Sequence, residues 1–246
     1  MRNIIKIFLL TVAPLLTACE TDSYRTGDGA LSAMRAEFVE AHTDADARVM
    51  AVETDGGERL TLTSPVVVGW MEKPDTVYRA LFYYNKVDGD GGQPQAEPVA
   101  VSYVLVPSVT AAAGMTGDMK TDPVKFVSSW ASTNGKYLNI ELLLMTGKVD
   151  GDNAAQTVGV ICDSVTTGGD GARRMWCTLY HDQNGVPEYY SSQTYVSIPV
   201  VGLPVAPAQG DEVILDINTY DGKITRTFGF WCRDILPLMI VCMSIV

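Results

Sequence analysis

From residue 30 onward, apolar positions alternate with polar ones in short runs, and Gly, Pro, Asn and Asp break those runs at frequent intervals. A period of two places the apolar side chains on one face of an extended chain. No sustained 3.6-residue apolar period appears, so the pattern predicts an all-β protein. The first block, 30–106, reads as strands near 31–42, 48–54, 59–63, 78–87 and 99–106. Asp55-Gly56-Gly57 supplies a tight hairpin between the second and third of these. The stretch 64–76, with Pro65 and Pro74, reads as a long connection, and the Gly- and Pro-rich 88–98 as a loop. Five strands with the longest early connection between the third and fourth suit an OB-like small barrel.

The stretch 107–121 is rich in small residues and lacks alternation, so it is read as a linker. The second block, 122–230, predicts strands near 124–132, 136–146, 157–165, 174–181, 193–198, 211–220 and 223–230. Asn134-Gly135 marks one hairpin, and Asp221-Gly222 fits a two-residue type I′ turn in another. Val213, Leu215 and Ile217 share one face. Strands at this spacing predict an antiparallel β-sandwich. If the loop 168–171 closes its hairpin near the middle, Cys162 falls opposite Cys177 and Val160 opposite Leu179, with both apolar stripes on one side. Opposed β-carbons lie about 4.5–5.5 Å apart, slightly wider than a disulfide prefers. A Cys162–Cys177 disulfide and a pair of buried thiols therefore both stay open.

The N-terminus follows a different pattern. Arg2 and Lys6 flank a short apolar run ending in Leu16-Thr17-Ala18-Cys19. The run is too short for a membrane span and reads as a signal peptide, 1–18. The small residues before Cys19 resemble a lipobox, which makes Cys19 the expected site of lipid attachment and membrane anchoring. The polar residues 19–29 then form a tether, and their acidic start resembles surface-export signals of Bacteroidetes lipoproteins. At the other end, 231–246 is almost wholly apolar, too short to span a bilayer, and interrupted by Pro237.

A net charge of −11 disfavours nucleic-acid partners and docking on anionic lipid. The cysteines are Cys19, Cys162, Cys177, Cys232 and Cys242, and no C-x-x-C occurs. The two histidines, His42 and His181, carry no serine elbow or metal-ligand spacing around them; His181 reads as a surface residue at a strand end. The acidic loops beginning at Asp88 and Asp150 lack the ligands a calcium loop requires. No cofactor, metal or catalytic residue is expected. Tyr189 and Tyr190, beside Glu188 and Gln193, are the candidate platform for a ligand, with packing of a sandwich edge as the alternative.

The chain resembles the NigD-like lipoproteins of Bacteroidetes. The resemblance rests on Cys19 with its acidic successors and on Gly27-Asp28-Gly29. It rests further on Thr121-Asp122-Pro123-Val124-Lys125, on Trp130, on Lys136-Tyr137-Leu138-Asn139-Ile140-Glu141, and on the hairpin Asn218-Thr219-Tyr220-Asp221-Gly222-Lys223. It implies an OB-like domain followed by a β-sandwich, no catalytic residues, and a role in immunity to a bacteriocin. The apolar end 231–246 departs from the family's pattern. The resulting expectation is a non-enzymatic envelope lipoprotein that binds a protein or glycan ligand. Glycan capture for a polysaccharide system is the alternative function. A structural subunit of a surface polymer is a third, expected to show an open groove lacking a strand.

Overall fold

The computed structural model describes residues 33–148 and 154–230. The leader with Cys19, the tether, the acidic loop at 149–153 and the apolar end 231–246, with Cys232 and Cys242, lie outside the described residues.

Strands β1 (Met34–Thr43), β2 (Arg48–Thr54), β3 (Arg59–Val67), β4 (Val77–Asp88) and β5 (Pro94–Tyr103) close into a barrel in the order β1-β2-β3-β5-β4. Alternate residues fill it, among them Val39, Ala41, Val52, Leu60, Phe82 and Tyr84. Two strands run longer than the sequence predicts. β3 continues through Pro65, and β5 begins at Pro94 instead of near 99. Pro65 falls within the irregular stretch where the β2–β3 register slips, between Val49 and Ala51. Pro98 faces Tyr84 where the β4–β5 register slips. A proline at a bulge sacrifices no ladder hydrogen bond, so neither residue ends its strand.

The sandwich comprises β6 (Val109–Ala111), β7 (Lys125–Ala131), β8 (Tyr137–Thr146), β9 (Thr157–Thr167), β10 (Arg173–Asp182), β11 (Tyr190–Pro199), β12 (Glu212–Thr219) and β13 (Gly222–Gly229). One sheet runs β13-β12-β10-β9-β6 and the other β11-β8-β7. The stretch read as a linker thus contributes a strand, because β6 pairs in parallel with β9. Three residues of Val-Thr-Ala are too short to show a period. The β12–β13 turn is also different from expectation. Thr219 pairs with Gly222, and of the turn residues only Gly222 has positive φ, at 113°. Type I′ needs positive φ at both central residues, and neither Tyr220 nor Asp221 has it, so the turn is not of that type. Val213, Leu215 and Ile217 are buried with Leu138, Ile140, Leu142, Met175 and Phe228 in one core.

Cys162 lies opposite Cys177, and Val160 opposite Leu179. The turn alone would not give that register. Trp176 faces Ser164 and Cys177 faces Cys162, so a bulge passes over Asp163 and brings the cysteines together. Both are buried free thiols, and burial pushes both up from the ordinary thiol range. His181, read from sequence as a surface residue, is instead buried. Its Nδ1 lies 2.9 Å from the carbonyl of Asp122 and its Nε2 lies 3.0 Å from Gln156 Oε1. The segment 120–122 runs beside the end of β10 and covers the ring.

Barrel and sandwich meet across the outer side of the small sheet. Successive residues of β8 point to opposite faces. Leu138, Ile140 and Leu142 enter the sandwich core, whereas Tyr137 and Asn139 face the barrel. Opposite them stand Phe38 and Glu40 of β1 and Arg79 of β4. The chain leaving β5 adds a stitch: Leu105 N–H donates to the carbonyl of Tyr195, and its own carbonyl accepts from Ser197 N–H.

Candidate functional site

Arg79 organises the seam between the two domains. It is 5% exposed, and its guanidinium donates to both oxygens of Asp55, at 2.6 and 2.8 Å. Its Nε donates to Ser197 Oγ at 3.2 Å, and Ser197 Oγ donates to Asn139 Oδ1 at 2.7 Å. The same guanidinium lies 4.1 Å from the ring centroid of Tyr137 and 5.2 Å from that of Phe38. Asn139 and Ser197 are buried, and the Asn139 amide nitrogen has no partner among the described residues. At the rim, Lys136 bridges Glu40 and Glu53, and the Tyr137 hydroxyl donates to Glu40 at 2.9 Å. Burial pushes the Glu40 carboxyl up, but the hydrogen bonds from Lys136 and Tyr137 outweigh it, and the group sits below its ordinary value. Desolvation, helped by the Glu40 charge, pushes the Tyr137 hydroxyl up to about 12.

A cleft of about 490 Å³ opens next to this seam. The barrel supplies Glu37 and Phe38 from β1 and Thr54, Asp55, Gly56 and Glu58 from the β2–β3 hairpin. The sandwich supplies Trp130 from the end of β7, with Ser132 and Thr133 beyond it. Trp130 meets Phe38 edge to face, with centroids 5.5 Å apart. The hairpin is held by Gly57, whose φ of 81° lets the chain turn back. Arg79 ties that hairpin to β4 through Asp55 and reaches the sandwich through Ser197 and Asn139. Ligand sites favour such junctions between domains, where polar and aromatic groups from two bodies converge.

Other candidates are less complete. The barrel is closed by only two β3–β5 pairs, Thr61 with Gln95 and Leu62 with Ala96. Beyond them lies a groove of about 330 Å³ lined by Val66, Val67, Val68, Pro98, Val99 and Val101, together with Gly69 and Ala100. It offers no charged or aromatic side chain to orient a ligand. Tyr189 and Tyr190 are 70% and 55% exposed, and neither ring touches another aromatic ring among the described residues. Tyr190 opens β11, and nearby the Tyr220 hydroxyl donates to Glu188. Among the described residues no group of His, Cys, Asp and Glu is placed to hold a metal, and no helix is long and apolar enough to cross a membrane.

The sequence singled out none of the cleft acids. Trp130 entered only through the family resemblance. A signal for the covered face exists in β4, where Leu81 and Tyr83 make the outward phase apolar as well as the inward one. A strand apolar on both phases is covered on both sides, and Arg79 in that outward phase is the residue that needs a buried partner.

Residues 107–230 match the sequence profile of the NigD-like C-terminal beta sandwich domain. No match is found among curated proteins. Among solved structures the chain is similar to a NigD-like immunity protein from Bacteroides caccae, with 25% identity and a TM-score of 0.60, over 78% of this chain and 90% of that one. It shares its fold with a candidate toxin-related protein from Parabacteroides distasonis, at 18% identity and TM-score 0.54, over 79% and 91% of the two chains. It does so too with a candidate lipoprotein from Bacteroides fragilis, at 13% identity and TM-score 0.55, over 79% and 96%. A matched sandwich spanning half of the chain, joined to a barrel in an arrangement that these structures share, places the protein in the NigD-like family.

Proposed function

We propose that this protein is a non-enzymatic lipoprotein of the cell envelope, anchored through Cys19, that protects its host by binding an exported polypeptide toxin at the interdomain cleft. The observation that carries the reading is the likeness to a NigD-like immunity protein across both domains, and not the sandwich alone. The cleft is built where those two domains meet, from residues of each. An arginine 5% exposed crosses the junction to Ser197 and Asn139. A preorganised junction loses little freedom on binding, which favours recognition. The fold relative described as a candidate lipoprotein supports the anchor.

The test is a killing assay. A host deleted for this chain is challenged with culture supernatants of competing strains, with and without the gene restored. Greater killing of the deletion strain, reversed by the wild-type gene, is the expected result. Equal sensitivity of the two strains to every supernatant would overturn the immunity reading. The anchor is tested separately. Cys19→Ala is expected to move the chain out of the membrane fraction, and a variant still membrane-bound after a high-salt wash would refute lipid attachment at that residue.

A further inference from the structure

His181 is 1% exposed, and both polar partners offered to its ring are acceptors. The Asp122 carbonyl stands 2.9 Å from Nδ1, and Gln156 Oε1 stands 3.0 Å from Nε2. The Gln156 amide cannot be turned over to present its nitrogen instead. That nitrogen already donates to the Met145 carbonyl at 2.7 Å, and turning the amide would set two oxygens at that distance. The Asp122 carbonyl is held as well, because Asp122 N–H donates to the His181 carbonyl and Thr121 bridges to His181. A neutral imidazole carries one donor and one acceptor, whereas an imidazolium carries two donors. Only the imidazolium satisfies both oxygens. The neutral ring leaves a nitrogen lone pair facing an oxygen in a buried place, which is costly.

The surrounding charges agree with that state. Among the described residues, the segment 120–122 brings Asp122, whose carboxylate accepts from Gln183 N–H at 2.7 Å, and Lys120, whose carbonyl accepts from His181 N–H. β10 brings Asp182, whose carboxylate accepts from Asn184 N–H. β9 contributes Val158, β8 the Met145 carbonyl, and β12 Asn218, which donates to the Thr121 carbonyl. Tyr220 lies beyond Asp122 with its hydroxyl on Glu188. Acids beside the ring favour a positive charge on it. We infer that His181 is held as the imidazolium and acts as a proton-dependent pin, fastening the segment 120–122 and Gln156 to the end of β10. The pin reaches further along the chain. The Gln183 side chain donates to the Met145 and Val186 carbonyls, and Tyr189 N–H donates to the Thr146 carbonyl, so the loop leading to the exposed Tyr189 and Tyr190 is tied to the same end of β8. When the ring gives one proton to solvent, one of its two oxygens loses a donor and this end of the sandwich loosens. Above about pH 6.5 a histidine of the unfolded chain has released its proton. The folded chain then binds more protons than the unfolded one, and its stability falls as pH rises.

Nitrogen-15 NMR of the soluble chain at pH 7.5 reads the ring directly. Both ring nitrogens of His181, told from those of His42 by sequential assignment, are expected at the position of a protonated imidazolium. The same chain unfolded in urea is expected to show neutral rings. A lone-pair nitrogen on His181 in the folded chain would overturn the inference, and this readout needs no variant. Hydrogen exchange tests the pin. Between pH 6.5 and pH 9, protection relative to the unfolded chain is expected to fall at least tenfold at the amides of Asp122 and Gln183. At the core amide of Leu215 it is expected to change less than twofold. An equal loss at Leu215 would mean that the whole sandwich opens and would overturn a local pin. His181→Gln offers no second donor from a ring at any pH, so it is expected to show the lower protection at both pH values. A fall with pH as large in that variant as in the parent would assign the effect to another group and sink the role given to His181.

Discussion

The two faces of β8 make different kinds of contact within one strand. Leu138, Ile140 and Leu142 join an apolar core with Leu215, Ile217 and Phe228. One position over, Tyr137 and Asn139 meet Arg79 and Ser197 through hydrogen bonds and a stacked cation. Burial of apolar area tolerates small shifts of position, because it is non-directional. A buried guanidinium does not, because each lost partner leaves an uncompensated polar group. The apolar face therefore holds the sandwich together, while the polar face dictates how the barrel sits on it.

The largest expected effect breaks the polar face. Arg79→Ala leaves Asp55 and Ser197 without their cation and is expected to cost about 3–5 kcal/mol. Thermal unfolding should split into two transitions as the domains uncouple, and a single cooperative transition at an unchanged midpoint would contradict the role given to Arg79. The sharper version removes both charges together. Arg79→Met with Asp55→Leu is expected to recover most of that loss, since replacing both members of a buried pair with apolar groups is often near neutral. The apolar face admits no equivalent rescue. Ile140→Val deletes one buried methylene and is expected to cost about 1 kcal/mol in urea unfolding, with one transition retained.

Much of this contrast was legible in the sequence on one side only. Alternation in Val213-Ile214-Leu215-Asp216-Ile217 identifies the sandwich core directly, because a period of two is a local signal. The barrel and its five strands follow from the same signal, apart from two strands that run through prolines at bulges. The seam gives no such pattern. Arg79, Asn139 and Ser197 are polar residues that look solvated in their own strands, and they are buried because a second domain covers them. The cleft acids were missed for the same reason, since Glu37 and Glu58 acquire meaning only when Trp130 arrives from the other domain. β6 was missed because three residues carry no period. The cysteine register was legible only in part, because the bulge that passes over Asp163 supplies the final residue of shift.

The facing thiols of Cys162 and Cys177 allow a redox test of the core. Oxidising Cys162 and Cys177 with a disulfide donor would remove two hydrogens and close a short loop, for which a stabilisation of about 3 kcal/mol is expected. Intact mass and thiol labelling in denaturant check it, and two labelled thiols after oxidation would show that the pair cannot close. A smaller, pH-dependent effect concerns Asp211. Its carboxyl accepts from Arg173 and from Ala208 N–H, and the Arg173 guanidinium is the main cause holding it at about 2. Because the folded value is depressed, the stability it contributes is fully present above the unfolded value, near 4, and is lost as pH falls toward 2. The deficit of Asp211→Asn against the parent, followed by urea unfolding from pH 6 to pH 2.5, should shrink as pH falls. A constant deficit would rule out this linkage. The smallest effect lies at the rim of the seam. Lys136 is partly exposed, so Lys136→Ala is expected to cost only about 0.2–1 kcal/mol, and less at high salt.

The stitch at Leu105 bears on what counts as a separable piece of this molecule. The family profile begins at residue 107, two positions after the residue whose amide and carbonyl cap the edge of β11. A fragment cut at the profile boundary would keep β6 but leave the backbone of Tyr195 and Ser197 bare along an outer strand. Bare strand edges recruit other strands, so such a fragment is a poor candidate for isolated expression and is prone to self-association. A fragment begun at Val104 would carry its own edge cover. The unit that sequence comparison recognises is thus a little shorter than the smallest unit that protects itself.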